Sequence, residues 1–243
     1  MPGPTLLAPG VWRIPTVGAN LVNSFAFAEP DGSLTLVDTG LRGRGPRRVA
    51  AALESIGKRP EQVSRILLTH AHPDHAGGAR SVQRSTGAGV AIHSDEARWL
   101  REGRAPHLDT RTIAGRLLDR WRPKLEVCEV SDTMRDGDML DVAGGLRVLH
   151  TPGHSPGHCS FLHESSGVLI TGDALFNFLD RVSWSYALFC SDAALSHQTA
   201  ERLGDADYEV AAFTHGAEIR DRARERIRDF LLRKGNQKTA PGR

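Results

Sequence analysis

Three histidines and an aspartate lie within six residues in the stretch 69–78, which is Thr-His-Ala-His-Pro-Asp-His-Ala-Gly-Gly. Imidazole and carboxylate groups are the ligands that a borderline metal such as zinc takes in proteins. The apolar, partly β-branched run 65–69 predicts a buried strand before the cluster, and a helix can begin after it. The pattern therefore predicts a metal-binding turn rather than a polar surface turn rich in histidine. The four side chains are His70, His72, Asp74 and His75.

More side chains of the ligand type follow apolar runs elsewhere in the chain. In an extended stretch alternate residues share a face, so His75 would point away from His70 and His72, toward a second metal. Strands that end along one edge of a sandwich would bring all these turns together. Two metals take about seven donors and leave an open position on each, which is the mark of a catalytic site. The candidate metal ligands are His70, His72, Asp74, His75, His154, Asp173 and His215.

The elements that must position these ligands form two blocks of strands, each followed by helices. Turn signals such as Asp31-Gly32 separate the strands. Two face-to-face sheets with helices outside would bury both blocks. The predicted strands are 11–14, 20–28, 33–37, 65–69, 90–93, 146–150, 159–163, 168–171 and 209–213, and the predicted helices are 46–56, 78–84, 193–203 and 219–232.

Two further segments carry aromatic side chains. Residues 97–124 place Trp99 and Trp121 among many arginines, which predicts a helical insertion or flap, or else an ordinary solvated helix pair. Residues 174–191 read as a mobile loop that begins beside Asp173. Both segments are candidates for the wall of a substrate pocket, with packing onto the body or a homodimer contact as the alternatives. The pocket residues predicted in the second segment are Phe176, Phe178, Arg181, Trp184 and Tyr186.

Length and composition set the remaining bounds. The 243 residues suit a single domain over 1–233 with a disordered tail over 234–243, and 31 basic against 29 acidic residues give a net charge of +2. This balance gives no reason to expect a nucleic-acid or membrane partner. No signal peptide is recognisable, and no apolar run approaches the roughly 18–20 residues of a membrane span. Three widely spaced cysteines predict a reducing, cytoplasmic location without disulfides. They are Cys128, Cys159 and Cys190.

The ligand pattern resembles the metallo-β-lactamase superfamily. Its HxHxDH motif reads His70-Ala-His72-Pro-Asp74-His75, and its other positions match Asp38, His154, Asp173 and His215 in order. The resemblance runs from about Trp12 to Gly216. It implies an α/β (α+β) fold of the αββα type, with two mixed sheets face to face and the metals at one sheet edge.

The resemblance also implies how the ligands are divided. His70, His72 and His154 would hold one metal, and Asp74, His75 and His215 would hold the other. Asp173 would bridge them, and Asp38 would orient ligands without binding metal. Two zinc ions per chain are expected, with iron or manganese as alternatives. The remaining histidines match no motif, although His150 and His158 flank His154 closely enough to touch the site.

The stretch 150–158, with Gly-Asp-Ala-Leu-Phe176 downstream, looks like the glyoxalase II group. The common β-lactamases of the family carry cysteine at the position of Asp173, which disfavours β-lactam hydrolysis. Glyoxalase II has a C-terminal helical region with basic residues that hold glutathione, whereas 28 residues follow His215 here. Acyl-homoserine lactonases are similar in metal set and size, so a lactone substrate stays open.

The leading hypothesis is a dinuclear metallohydrolase. A hydroxide between the metals would attack a carbonyl carbon of an ester, thioester or lactone of a small molecule. Asp74 would orient the hydroxide and pass a proton to the leaving group. The alternatives are an oxidoreductase like the persulfide dioxygenases, a β-lactam or phosphodiester hydrolase, and a non-catalytic metal-binding module. A persulfide dioxygenase uses one iron held by two histidines and an aspartate. The complete second ligand set favours hydrolysis.

Overall fold

The first sheet has seven strands that follow one another in chain order. The computed structural model describes residues 2–238. The first four strands pair antiparallel, and the pairs from β4 to β7 are parallel. The strands are β1 (Thr5–Ala8), β2 (Val11–Val17), β3 (Val22–Ala28), β4 (Leu34–Val37), β5 (Val63–Leu67), β6 (Gly89–His93) and β7 (Asp132–Met134).

The second sheet has five strands in the order β14-β11-β10-β9-β8, and only the β11–β14 pair is parallel. Its strands are β8 (Met139–Leu140), β9 (Leu146–His150), β10 (Cys159–His163), β11 (Val168–Ile170) and β14 (Val210–Ala212). A separate hairpin pairs β12 (Leu175–Phe178) with β13 (Arg181–Trp184). The helices are α1 (Arg44–Ser55), α2 (Pro73–Ala76), α3 (Ala79–Thr86), α4 (Ala97–Glu102), α5 (Ile113–Asp119), α6 (Ala193–Ala200) and α7 (Ala223–Lys238).

Alternation along the strands builds the core in three layers. Phe25 and Phe27 of β3 face the opposite sheet, where they meet Phe161 of β10, and Ala26 faces α1 and α3. On the second sheet Leu162 turns outward, into the layer shared with α6 and α7. Because successive side chains point to opposite faces, both faces of each sheet are buried, and helices must cover the outer faces. The predicted αββα sandwich is confirmed.

The structure corrects two predicted segments. The stretch read as a mobile loop contains the β12–β13 hairpin, whose two turn residues, Leu179 and Asp180, have φ of 52° and 60°. Two residues with positive φ suit the twist of a tight hairpin, but Leu-Asp lacks the glycine that usually signals one. At the other end, α7 runs from Ala223 through Lys238, whereas the predicted helix covers 219–232. Residues 239–243 lie outside the described residues.

The predicted insertion over 97–124 contains α4 and α5, joined by irregular backbone. Within residues 2–238, no helix has the length and apolar composition that crossing a bilayer requires.

Candidate metal centre

The predicted ligands converge on one edge of the sandwich because each follows the end of a strand. His70 and His72 lie on the turn from β5 into α2, His75 lies within α2, and His154 lies between β9 and β10. Asp173 occupies a short 3-10 turn after β11, and His215 follows β14. All seven candidate ligands meet here, in groups whose ligand atoms lie within 4.8 Å of one another.

Three histidine nitrogens form the first group. Nε2 of His70 lies 3.0 Å from Nδ1 of His72, which lies 2.9 Å from Nε2 of His154. Burial, together with the neighbouring histidines, lowers the pKa of His70 well below its usual value. Burial likewise lowers the pKa of His72 to about 4. These rings are therefore neutral near pH 7, which is the form that binds metal.

The second group combines carboxylate and imidazole. Oδ2 of Asp74 lies 3.5 Å from Nε2 of His75 and 3.4 Å from Nε2 of His215. Nε2 of His75 is buried and has no hydrogen-bond partner among the described residues. A buried polar atom without a partner costs about 1–3 kcal/mol, so this nitrogen is placed for a ligand that the protein does not supply.

Asp173 joins the two groups through its two oxygens. Oδ1 lies 3.4 Å from Nε2 of His75 and 3.3 Å from Nε2 of His215. Oδ2 lies 3.3 Å from Nε2 of His154, in the first group. Two donors on one tetrahedral zinc ion, at bonds of about 2.0–2.1 Å, are separated by roughly 3.3 Å. The spacing in both groups therefore fits a metal ion.

The electrostatics of the second group also fit a cation. Burial acts to lower the pKa of His75, but Asp173, Asp74 and Asp38 raise it well above its usual value. Burial acts to raise the pKa of Asp74, and the neighbouring His75 overrides it and lowers that pKa. Both shifts have one cause: the carboxylates remain charged and favour a positive charge beside them, which a divalent ion would supply.

Asp38 contacts the candidate ligands from behind, at the position where the family resemblance implies an orienting residue. Its Oδ2 lies 2.8 Å from Nδ1 of His75 and accepts a hydrogen bond from the hydroxyl of Thr69. That hydroxyl lies 3.0 Å from Nδ1 of His70. Nδ1 of His215 donates to the carbonyl of Leu21 at 2.6 Å. In each ring the Nδ1 contact leaves Nε2 free to face the site.

Two further residues hold Asp173 in place: His158, which was expected only to touch the site, and Thr214, which no motif indicated. The backbone N–H of Asp173 donates to Nε2 of His158 at 2.7 Å, and the hydroxyl of Thr214 donates to Oδ1 at 2.7 Å. Gly172 makes the first contact possible, because a Cβ there would lie 2.5 Å from Nε2 of His158. His158 flanks the His154 motif, but its target lies in a different loop.

Glu96 joins the two histidine loops and has no counterpart in the sequence prediction. Its carboxylate accepts a hydrogen bond from the N–H of Ala71 at 3.0 Å and another from the N–H of Gly157 at 2.9 Å. Burial raises the pKa of Glu96, although these bonds and Ser155 oppose the rise. Glu96 therefore fixes the loop of His70 and His72 against the loop of His154.

A cavity of about 600 Å³ opens above the ligands. Polar ligands form its floor, and its wall is mostly apolar. Phe176, Phe178 and Tyr186 line it as predicted, and Trp121 closes one side. Arg181 and Trp184 lie outside the lining: Trp184 stacks on His197 at 4.2 Å and packs against Phe230. The apolar and aromatic part of the wall comes from Val17, Val22, Leu41, Leu108, Leu118, Trp121, Phe176, Phe178, Tyr186 and Phe189.

Another cluster of ligand-type residues lies outside this edge. It contains His93, Asp95 and His150. The two imidazole rings stack 4.0 Å apart with planes inclined by 13°. Nearly parallel rings direct their lone pairs along parallel lines, so they do not converge on one ion.

The model of the metallo-beta-lactamase superfamily matches residues 17–215. An N-acyl homoserine lactonase from a Bacillus species is 35% identical over 162 residues, which are 61% of this chain and 54% of that protein. The hydroxyacylglutathione hydrolase GloC of Haemophilus influenzae is 31% identical over 115 residues, 46% of this chain and 49% of that protein. The chain thus spans about half the length of these two relatives.

A crystal structure of a metallo-beta-lactamase family protein from Thermus thermophilus superposes with a TM-score of 0.71 at 29% identity. The superposition covers 96% of this chain and 81% of that one. Family model, fold and ligand edge agree, and the chain belongs to the metallo-beta-lactamase superfamily of metal-dependent hydrolases.

Proposed function

We propose that the protein is a dinuclear metal-dependent hydrolase that cleaves an ester or lactone of an uncharged, apolar small molecule. The observation that carries the proposal is the pair of ligand groups that share Asp173, with the unpartnered Nε2 of His75 between carboxylates. Two complete groups favour two ions over the single iron of the oxidoreductase alternative. Bound divalent ions supply Lewis acidity toward a carbonyl oxygen and lower the pKa of water.

Asp74 is the residue to which we assign proton transfer. Its side chain lines the cavity and is 31% exposed, whereas Asp173 is 5% exposed. A group that orients water and passes a proton to a leaving group must reach the cavity. Asp173 contacts both ligand groups, so Asp74 is the carboxylate that can accept a proton from the attacking water and return it to the departing alkoxide.

The mostly apolar lining of the cavity supports an uncharged substrate. Arg122 is the one cationic side chain among its lining residues in the described chain. Its guanidinium is already engaged, since Nη1 donates to the carbonyl of Ala105 at 3.0 Å and Nε lies 3.2 Å from Asp119. A glutathione thioester brings carboxylates that require cations, whereas an uncharged acyl chain matches an apolar wall. The lactonase relative agrees with this choice.

Hydrolysis of paired substrates by the metal-loaded protein tests the proposal. The substrates are uncharged lactones and esters of increasing acyl length, with a glutathione thioester as the charged comparison. Each buried methylene contributes about 0.8 kcal/mol, so kcat/KM should rise up to about fourfold per methylene until the cavity is filled. Asp74→Asn should abolish turnover while metal stays bound. Preference for the glutathione thioester would contradict the substrate class, and full activity of Asp74→Asn would contradict its role.

A further inference from the structure

Helix α5 presents its apolar side chains to solvent instead of the core. Ile113 and Leu117 on α5, and Trp121 two residues beyond its end, follow at intervals of four residues and are 71%, 56% and 85% exposed. A surface helix normally turns such a stripe inward. Contiguous exposed apolar side chains on a folded protein mark a site that contacts another surface.

The exposed stripe continues onto a neighbouring element. The 3-10 turn Ala187–Phe189 packs beside α5 and exposes Leu188 and Phe189. Together Ile113, Leu117, Trp121, Leu188 and Phe189 form what we call the apolar platform. Trp121 and Phe189 also line the cavity, but Ile113, Leu117 and Leu188 do not. The open cavity therefore does not account for the exposure of the platform.

Positive charge surrounds this platform. The segment 111–124 contains five basic residues and one acidic residue. Arg111 pairs with Asp109 and Asp192, and Arg122 pairs with Asp119. Within the described chain no carboxylate pairs with Arg116, Arg120 or Lys124. Arg104 lies beside Lys124 through an antiparallel bridge and is likewise without an acidic partner there.

We propose that the apolar platform docks on an anionic lipid surface. An apolar stripe with tryptophan at its end and arginines along its flank has the composition of segments that bind membrane interfaces, where each cation near an anionic leaflet adds to the attraction. Charge complementarity chooses this occupant over a second copy of the chain. A two-fold contact would oppose the platform to itself and bring the same unpaired cations together. The whole-chain charge of +2 hides this local excess.

The docking orientation places the mouth of the cavity at the lipid surface, because Trp121 and Phe189 belong to both. Docking itself does not depend on the reaction at the metal centre. A failure of the hydrolase assignment would therefore leave this proposal standing, and a failure of docking would leave the hydrolase assignment standing.

Flotation of the full chain with vesicles tests the proposal. Vesicles of phosphatidylcholine alone are compared with vesicles that also contain phosphatidylglycerol, at low and high salt. We expect association with the anionic vesicles only, weakened by salt. Ile113→Ser combined with Leu117→Ser, and Arg116→Glu combined with Arg120→Glu, should each lower the partition coefficient. The loss of two cations alone corresponds to about 30-fold.

Matched controls use exposed residues elsewhere. Leu232→Ser on α7 and Arg84→Glu on α3 should leave partitioning unchanged, and melting curves verify that every variant folds. Absence of association with anionic vesicles overturns the proposal, as does equal binding to both vesicle types. A wild-type dimer in light scattering that Ile113→Ser with Leu117→Ser converts to monomer, without an effect on vesicles, also overturns it and identifies the platform as a self-interface.

Discussion

The ligand edge and the cavity rim lie next to each other but are built in opposite ways. His70, His75 and Asp173 are almost fully buried. The neighbouring Thr69 contacts His70, whereas Asp38 and Thr214, which follow other strands, hold His75 and Asp173. The rim exposes Trp121, Tyr186 and Phe189, which lie just after α5 and within residues 175–189. The strands of the sandwich thus hold the edge in place, whereas the rim consists of exposed side chains on segments outside the two sheets.

This difference suggests a division of roles: the ligand edge would carry the reaction, and the rim would determine which substrate binds. Strand ends and outer hydrogen bonds hold the candidate ligand atoms, and a functional site needs its groups within about 0.5 Å of the productive geometry. The rim consists of side chains on two additions whose changes leave the sandwich core intact, as binding segments on a rigid scaffold commonly do. Because the two regions have different roles, changing one of them at a time shows whether the other is affected.

Among variants that should lose metal as well as turnover, the largest effect is expected for Asp173→Asn at the ligand edge. The asparagine amide has the shape of the carboxylate but only one oxygen that can bind a metal. One ligand group therefore loses a ligand atom, and both groups lose negative charge. Metal content should fall, and kcat/KM should drop by about 10³-fold, which corresponds to roughly 4 kcal/mol of lost transition-state stabilisation. Mass spectrometry of bound metal and the substrate series measure both. A variant with full metal content and wild-type kcat/KM would show that Asp173 does not link the two groups.

Removing the outer partner of His75 comes next. Asp38→Asn weakens the acceptor of the Nδ1 proton, so Nε2 becomes a poorer and less well oriented ligand. The affinity for metal or the activity should fall about 10–100-fold. Competition with a chromogenic chelator gives the affinity. An equal effect of Glu61→Gln, an exposed carboxylate in the 3-10 turn at Pro60–Gln62, would show that overall charge and not the contact to His75 is responsible.

The sequence predicted which side chains converge on the ligand edge, because the signals for them lie within a few residues of each one. Each ligand follows a recognisable apolar strand, so residue type and context coincide within a few positions. Glu96 and Thr214 were not predicted as site residues, because no motif surrounds either of them. Glu96 acquires its role by contacting Ala71 and Gly157, and the latter lies 61 residues away. Such contacts exist only after the two sheets have packed.

The rim was predicted less well, because residue type alone does not tell which face a side chain takes. The segment after Asp173 was expected to contribute four aromatics and Arg181 to the pocket, with packing onto the body or a dimer contact as the alternatives. Once β12 and β13 pair, Phe176 and Phe178 share one face of the hairpin, and Trp184, which pairs opposite Leu175, takes the other face. Arg181 stands beside the hairpin turn, opposite Phe178. Parity in a strand cannot be assigned before the strand and its register are known.

His158 tests whether the edge depends on a residue outside the ligand set. His158→Ala leaves the buried N–H of Asp173 without an acceptor, which costs about 1–3 kcal/mol. For a chain of this size the melting temperature should fall by about 2–4 °C per kcal/mol. Metal affinity should fall with it, since the bridging residue loses its anchor. His158→Gln retains an acceptor and should recover part of both. A loss of stability with unchanged metal affinity would limit His158 to a structural role.

The smallest effect, and the sharpest test of the comparison, is expected at the rim. Phe178 lines the cavity and Trp184 in the same hairpin does not, so the two alanine variants form a matched pair. Phe178→Ala removes apolar wall and should raise KM for an apolar ester about tenfold, or roughly 1.4 kcal/mol, with kcat and metal content retained. Trp184→Ala should lower the melting temperature, because it breaks the packing on His197 and Phe230, and leave KM unchanged. If Trp184→Ala raises KM as much as Phe178→Ala does, both faces of the hairpin affect substrate binding. Substrate choice would then not depend on the cavity-lining side chains alone.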